Sequence, residues 1–468
     1  MIELSSVRKN KINLSDYPYQ KDIENRLLMA EFSVFDVEVL EEILFSPLKI
    51  PIKKLARSLE TPLDQLMPIL EKLGQTGLFS LQEDILSVEK EMRKYYESQL
   101  AKFDEDFHAD MESLQAILKK VPIHILPLWY SIPRTSNNIF ESIMEKYLQT
   151  PQTFLRYLME LSFDDPILSG IVQDVLQAPD FKVFGKDICA KYQISKTQFE
   201  ECILFLEFNF ICCLRYEKVG SQWEEIVTPF HEWKEYLSFL RDSKPSSIPA
   251  PAKIKRKRPK DFSFIEEMTL LLKKIWKSPI EWNPDQLYKY FEQAPQDPVE
   301  LAQMQTYWKG VAEKLCLVKL ALVQDGLLSP TEASSEWLEF NLENKALYLY
   351  RHPQNRLPLL HFPADMCTEK NIREAEKSIK QVFYLDWVYF DDFIKGALVI
   401  LGEDSRIVLK KIGKSWKYCL PQYTESERAF IKATIFEWLF EVGMVAAGKA
   451  DGRDCFCATS FGKTFFGA

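Results

Sequence analysis

The chain has 468 residues, with 59 Lys and Arg against 68 Asp and Glu and a net charge of −9. That length implies roughly three or four domains, and 46% apolar with 13% aromatic residues is enough to fill several cores and too much for a disordered chain. The acidic balance excludes a protein coated in positive charge for nucleic acid, although local basic patches remain possible, and 15 Gly is sparse for phosphate-cradling or turn-rich folds.

No stretch reaches the ~18 uninterrupted apolar residues that a membrane span needs, and the polar start over residues 1–22 lacks the apolar core of a signal peptide. The nine cysteines (189, 202, 212, 213, 316, 367, 419, 455 and 457) are odd in number and sit in apolar patterns. They read as reduced thiols in a cytoplasmic protein.

From the N-terminus, Phe35, Val39, Leu40, Ile43 and Leu44 recur at helical spacing. A second helix follows Pro51, with Leu55, Ala56 and Leu59 inward. Thr61-Pro62 reads as an N-cap and first-turn proline for a third helix carrying Leu63, Leu66, Ile69, Leu70 and Leu73. Gly77 reads as its left-handed cap, and residues 78–81 and 85–88 alternate around Glu83-Asp84 as a hairpin. Helix, helix, helix, hairpin is the order of a winged helix. Residues 88–120 then read as one long helix with an apolar stripe from Met92 to Leu118.

The same order returns over 181–237. Ile188, Cys189 and Tyr192 line one helix, Phe199, Cys202, Ile203 and Leu206 line the next to Asn209, and a hairpin turns at Gly220-Ser221. Residues 243–261, rich in Pro, Ser and charge, read as a linker with nothing to pack. Beyond it, helical patterns lead to a hairpin at Asp325-Gly326. A last module starts near Leu385 and has its strongest helix over 425–440, capped by Gly443, with a hairpin over Asp451-Gly452. Thr228, Thr331 and Thr459 each end a hairpin and can cap the following helix.

The organisation expected is therefore mainly α with small antiparallel β-hairpins, as tandem winged-helix modules joined by helices. Residues 1–120 hold the first module and the long helix, and 121–242 a helical region and the second module. Residues 243–261 form the basic linker, 262–362 the third module and 363–468 the C-terminal module.

Residues 435–466 (IFEWLFEVGMVAAGKADGRDCFCATSFGKTFF) resemble the closing segment of the winged-helix domains attached to bacterial helicases of the XPB type. That pattern has a helix ending in a Leu-Gly-Leu-Val-like step, a hairpin, and a Leu-Thr-Pro-Leu-Gly-like step. Glu441-Val442-Gly443-Met444-Val445 matches the first and Ala458-Thr459-Ser460-Phe461-Gly462 the second, with Leu328-Ser329-Pro330-Thr331 a poorer echo. The resemblance implies a helicase-associated or DNA-binding module and identifies no activity.

The sequence contains neither a Gly-x-x-x-x-Gly-Lys-[Ser/Thr] phosphate loop nor a Gly-x-Gly-x-x-Gly turn, so a helicase motor would lie on another chain. Cys212-Cys213 and Cys455-x-Cys457 lack zinc-ligand spacing, and no metal or cofactor is expected. The histidines (108, 124, 231, 352 and 361) are scattered, and Asp104, Glu105, Asp106, Asp110 and Glu112 read as a solvated face of the long helix.

The sharpest electrostatic feature is Lys253, Lys255, Arg256, Lys257, Arg258 and Lys260, six cations within eight residues. Such a run suits either phosphate contacts with counterion release or a self-repelling linker. The helices over 61–76 and 196–209 carry Lys72 beside Asp64 and Glu71, and Lys196 against Glu200, Glu201 and Glu207, so they are acidic and suit protein contact or packing between modules better than reading a major groove. The C-terminal module supplies Arg428, Lys432, Lys449, Arg453 and Lys463. These eleven residues are the candidate nucleic-acid contacts. The function expected is a non-enzymatic, DNA-associated accessory or regulatory protein in transcription or helicase-linked DNA processing. Its partners would be DNA and a helicase or transcription component, with no membrane. The alternative is a protein-interaction scaffold of winged helices that binds no nucleic acid.

Overall fold

A computed structural model describes residues 8–133, 138–249, 253–352, 359, 361–402, 405–413 and 415–467. The chain is mainly helical with small sheets, antiparallel apart from the pairing of Arg8–Lys9 with Leu161–Ser162. It divides into two compact units, residues 1–238 with 407–419, and 239–406 with 420–468.

One arrangement of elements occurs twice in each unit: opening helix, short strand, second helix, third helix, hairpin. Module one comprises helix Val34–Phe45, strand Lys49–Pro51, helices Ile52–Ser58 and Leu63–Gly74, and hairpin strands Phe79–Gln82 and Ile85–Val88. Module two comprises Pro166–Gln177, Val183–Phe184, Gly185–Tyr192, Lys196–Phe208, and hairpin Cys212–Val219 with Gln222–Pro229. In the other unit, module three comprises Ser263–Lys277, Ile280–Glu281, the 3-10 turns Pro284–Tyr290, Pro298–Leu317, and hairpin Ala321–Gln324 with Leu327–Pro330. Module four comprises Glu369–Lys377, Val388–Tyr389, Phe390–Gly396, Glu425–Ala433 continued by the π-helical turn Thr434–Leu439, and hairpin Val445–Ala450 with Arg453–Ala458. Each short strand pairs with the second strand of its hairpin, which leaves the first hairpin strand on the far side.

Local chemistry explains the repetition. Ser33 with Asp36, Ser195 with Gln198 and Thr424 with Glu427 close reciprocal capping boxes, satisfying amides that a helix start leaves orphaned. The third helices of modules two, three and four end alike. Phe210, Lys319 and Gly443 adopt φ of 64°, 60° and 72°, and their N–H groups bond to Glu207, Cys316 and Phe440. The N–H groups of Ile211, Leu320 and Met444 reach back to Leu206, Leu315 and Leu439. This is a Schellman stop, after which the hairpin begins.

Several expectations are corrected. Pro62, not Thr61, flanks the third helix of module one, because the Thr61 hydroxyl donates to the Leu59 carbonyl. Gly77 is left-handed at φ 70°, but the helix has ended at Gly74. The long helix over 88–120 is two helices, Lys90–Leu100 and Met111–Leu118, with 3-10 turns at Ala101–Phe103. Its supposed acidic face breaks it: the Asp104 carboxylate accepts the N–H of Asp106, and Asp110 caps the second helix through the N–H of Ser113. Thr331 and Thr459 are equivalent, each donating its hydroxyl to the carbonyl of the left-handed residue, Lys319 or Gly443. Thr459 also caps the next helix, whereas Thr331 does not. Thr228 is not their counterpart. It lies inside its strand, one place before Pro229, which pairs with Cys212, so the matching position is Phe230.

The supposed linker 243–261 is packed in its described parts, and Ala250, Pro251 and Ala252 lie outside the described residues. Ile248 is buried and its N–H bonds to Trp387 O at 2.7 Å, while Lys255–Arg256 form a strand against Gly448–Lys449. The division between units falls at residue 238, inside helix His231–Asp242. A hairpin, Leu409–Ile412 with Ser415–Tyr418, was not foreseen. It belongs to the first unit, where the Tyr418 hydroxyl donates to Leu148 O at 2.7 Å and its ring lies against Trp233 and Tyr236.

Candidate nucleic-acid interface

The fold brings part of the predicted cation set together. Antiparallel register places Arg256 opposite Gly448 and Lys255 opposite Lys449, and Arg453 opposite Ala450 on the same sheet. Gly448 permits this approach, because a Cβ there would stand 2.8 Å from Lys255 O.

The chain itself supplies anions for most of these cations. Lys255 Nζ meets Glu300 at 2.8 Å and Arg256 Nη2 meets Asp261 at 2.5 Å. Arg258 bonds Glu292 at 2.9 Å, lies 3.5 Å from Glu267 and stacks over Tyr307. Lys260 reaches Glu266 at 3.0 Å. In module four, Arg428 pairs with Asp391, and Lys432 and Lys449 converge on Asp454. Lys257 sits over the Phe440 ring and donates to Phe436 O, and Arg453 lies 3.5 Å from the Tyr389 ring centroid. Lys253 is exposed and Lys463 half-buried, and neither has an acidic partner among the described residues. Exposed ion pairs contribute only about 0–1 kcal/mol, so phosphate could displace some of them, but they lower the local positive field.

The acidity of the module-two third helix has an internal purpose. Helix Tyr19–Met29 packs along it. Arg26, buried with its partners, bonds Glu200 at 2.7 Å and Glu207 at 2.9 Å, and Glu207 also accepts the N–H of Leu214. Burial opposes the guanidinium charge, but Glu207 and Glu200 more than offset it and hold the Arg26 pKa above its ordinary value. Burial likewise opposes ionisation of Glu207, which Arg26 and Lys102 nevertheless keep charged, its pKa below the usual carboxylate value. Lys102 is itself pulled down to about 8 by burial. In module one, Lys72, the sole cation of its third helix, bonds Asp36 and Glu31 O.

Two groups scattered in sequence meet in the first unit. The rings of His108 and His231 stack with centroids 4.7 Å apart, and burial lowers the pKa of His231. Beside them Glu232 is buried with one oxygen on the N–H of Met111 and the other unpartnered, and burial, against the Met111 bond, pushes its pKa up to about 7. Among the described residues no hydroxyl or thiol hydrogen-bonds to either ring. A groove of about 400 Å³ lies along Leu118, Val121, Ile123, Leu126, Phe140 and Ile143. The Lys120 ammonium at its margin is taken up by Asp22. Among the described residues no cluster of three His, Cys, Asp or Glu could hold a metal, and no helix is long and apolar enough to cross a membrane. All nine cysteines are free thiols.

No family model, curated protein or solved structure matches this chain.

Proposed function

We propose that the four modules are winged helices and that the chain is a non-enzymatic scaffold whose modules bind protein partners. One observation carries this reading: the third helix of module two and the basic run, two surfaces suited to DNA, are taken up internally. The module-two third helix is covered by helix Tyr19–Met29 through Arg26, Glu200 and Glu207, and the basic run meets Glu300, Asp261, Glu267, Glu292 and Glu266. Purification of the intact chain from its source is expected to yield a stoichiometric protein partner and no nucleic acid. Recovery of nucleic acid alone would sink the scaffold reading.

A second reading, contact with DNA through module four, is favoured by the grouping of Lys255, Arg256, Lys449 and Arg453 on one sheet. The resemblance of 435–466 to modules of XPB-type helicases would then make the chain an accessory to a helicase or transcription component. DNA affinity of the intact chain, measured against salt, separates the two. A slope that falls by about 0.9 per lost phosphate contact when Lys255, Arg256, Lys257 and Arg258 become Ala supports DNA contact. No measurable binding at low salt rejects it.

A further inference from the structure

Modules one and three expose what modules two and four cover. In module two the first hairpin strand, Cys212–Val219, is buried over most of its length. Phe103 stacks on its Tyr216 at 4.1 Å, and Arg215 bonds Phe107 O. In module four the first hairpin strand, Val445–Ala450, is covered by Lys255–Arg256, and Lys257 N–H extends the pairing to Ala447 O. The corresponding strands Phe79–Gln82 and Ala321–Gln324 are buried only at their first residue. Among the described residues no further strand pairs with either.

The two open edges match residue by residue. Leu81 and Val323 are 42% and 43% exposed, and Ile85 and Leu327 are 46% and 42% exposed. Gln82 and Gln324 precede the turns, while Leu86 and Leu328 are fully buried opposite Leu81 and Val323. The N–H groups of Glu89 and Thr331 bond to Leu78 O and Leu320 O. Because antiparallel pairs alternate, Phe79, Leu81, Ala321 and Val323 therefore turn their backbone N–H and C=O groups to the open side. An uncovered, apolar edge is a template for strand addition.

We propose that these two edges each accept an extended segment of a partner protein in which apolar residues alternate with Lys or Arg. This rests on the scaffold reading and specifies how partners are held. Charge selects that chemistry. Residues 78–90 contain Glu83, Asp84 and Glu89 against Lys90, and residues 319–332 contain Asp325 and Glu332 against Lys319, so each hairpin is net acidic. The nearest paired cation, Lys53, lies 3.7 Å from Asp84 with both side chains largely exposed. Module four provides the precedent for strand addition, since Lys255–Arg256 pairs with its equivalent edge, while those two side chains bond Glu300 and Asp261.

The probe is an acetylated, amidated Lys-Val-Lys-Val-Lys-Val peptide added to the intact chain, with amide hydrogen exchange followed by mass spectrometry. Slowed exchange is expected within 78–89 and 320–331. Leu81→Lys should abolish it in the first stretch alone, and Leu81→Lys with Val323→Lys should abolish it in both without lowering the melting temperature. Leu81→Thr with Val323→Thr, which suits a strand and adds no charge, should weaken binding and serves if the lysine variants fail to fold. Absence of protection, protection that survives these substitutions, or self-association relieved by them would overturn the proposal. A co-purified partner retained by the doubly substituted chain would also overturn it while leaving the scaffold reading intact.

Discussion

Buried charge concentrates in the first unit, and its cost is decided one residue at a time. Arg26 satisfies both Glu200 and Glu207, so Arg26→Ala strands two carboxylates and is expected to cost about 3–5 kcal/mol, read as a lowered urea midpoint. Glu232 behaves oppositely. Its pKa rises from 4.5 to about 7 on folding through burial, so the folded chain holds the proton more tightly. Stability from this group is full below pH 4.5 and is lost as pH rises to about 7, by about 3 kcal/mol at most. Glu232→Gln keeps an acceptor for Met111 N–H and should flatten that fall. The difference in urea midpoint between wild type and variant, taken from pH 4.5 to 8, isolates the effect from His231, whose lowered pKa works in the other direction over the same range. A constant difference would show that folding leaves the Glu232 pKa unchanged. None of this was legible in the sequence. The acidity of Glu200 and Glu207 suggested protein contact or packing between modules, but Arg26, more than 170 residues earlier, was not visible as their partner.

At the level of elements, apolar periodicity and Asp-Gly turns were more readable than capping signals, of which Gly443 and Thr459 held while Thr61, Gly77, Thr228 and Thr331 did not. Apolar spacing located the third helices of modules one, two and four, and Asp325-Gly326 and Asp451-Gly452 located two-residue turns in which both residues have positive φ. The errors arose where an Asp or Thr had two possible local roles. Asp104 and Asp110 terminated a helix that their apolar neighbours seemed to continue, and Thr61 bonded backward rather than forward. Glycines divide similarly. Gly310 lies mid-helix with open space about its Cα, so Gly310→Ala should stabilise by about 0.5–1 kcal/mol. Gly462 faces the Met444 carbonyl too closely for any Cβ, so Gly462→Ala should destabilise by about 1–3 kcal/mol. Thermal melting of both variants checks the pair, and equal shifts would contradict the packing described.

For the whole molecule, two separate cores predict unfolding in two steps. Arg26→Ala should move only the transition of the first unit and Gly462→Ala only that of the second. A single transition displaced by either substitution would mean that the cores melt together. The hairpin Leu409–Ile412 with Ser415–Tyr418 makes the first unit discontinuous. No periodicity announces such a loan, since nothing local distinguishes a hairpin that packs at home from one that packs on residues 148–236.

By itself the sequence determined the mainly helical class, the recurrence of helices followed by hairpins, and the turns between them. Those features follow from side-chain periodicity, capping hydroxyls and backbone preferences acting over a few residues. Tertiary structure alone decided which charges are available. The basic run looked free because nothing in the sequence pairs it with Asp261 and Glu266 just after it, and because Glu267, Glu292 and Glu300 reach Arg258 and Lys255 from elements further along the chain. Only pairing across the sheet revealed which hairpin edges are sealed and which stay open, because a strand's unpaired side is set by what folds against it.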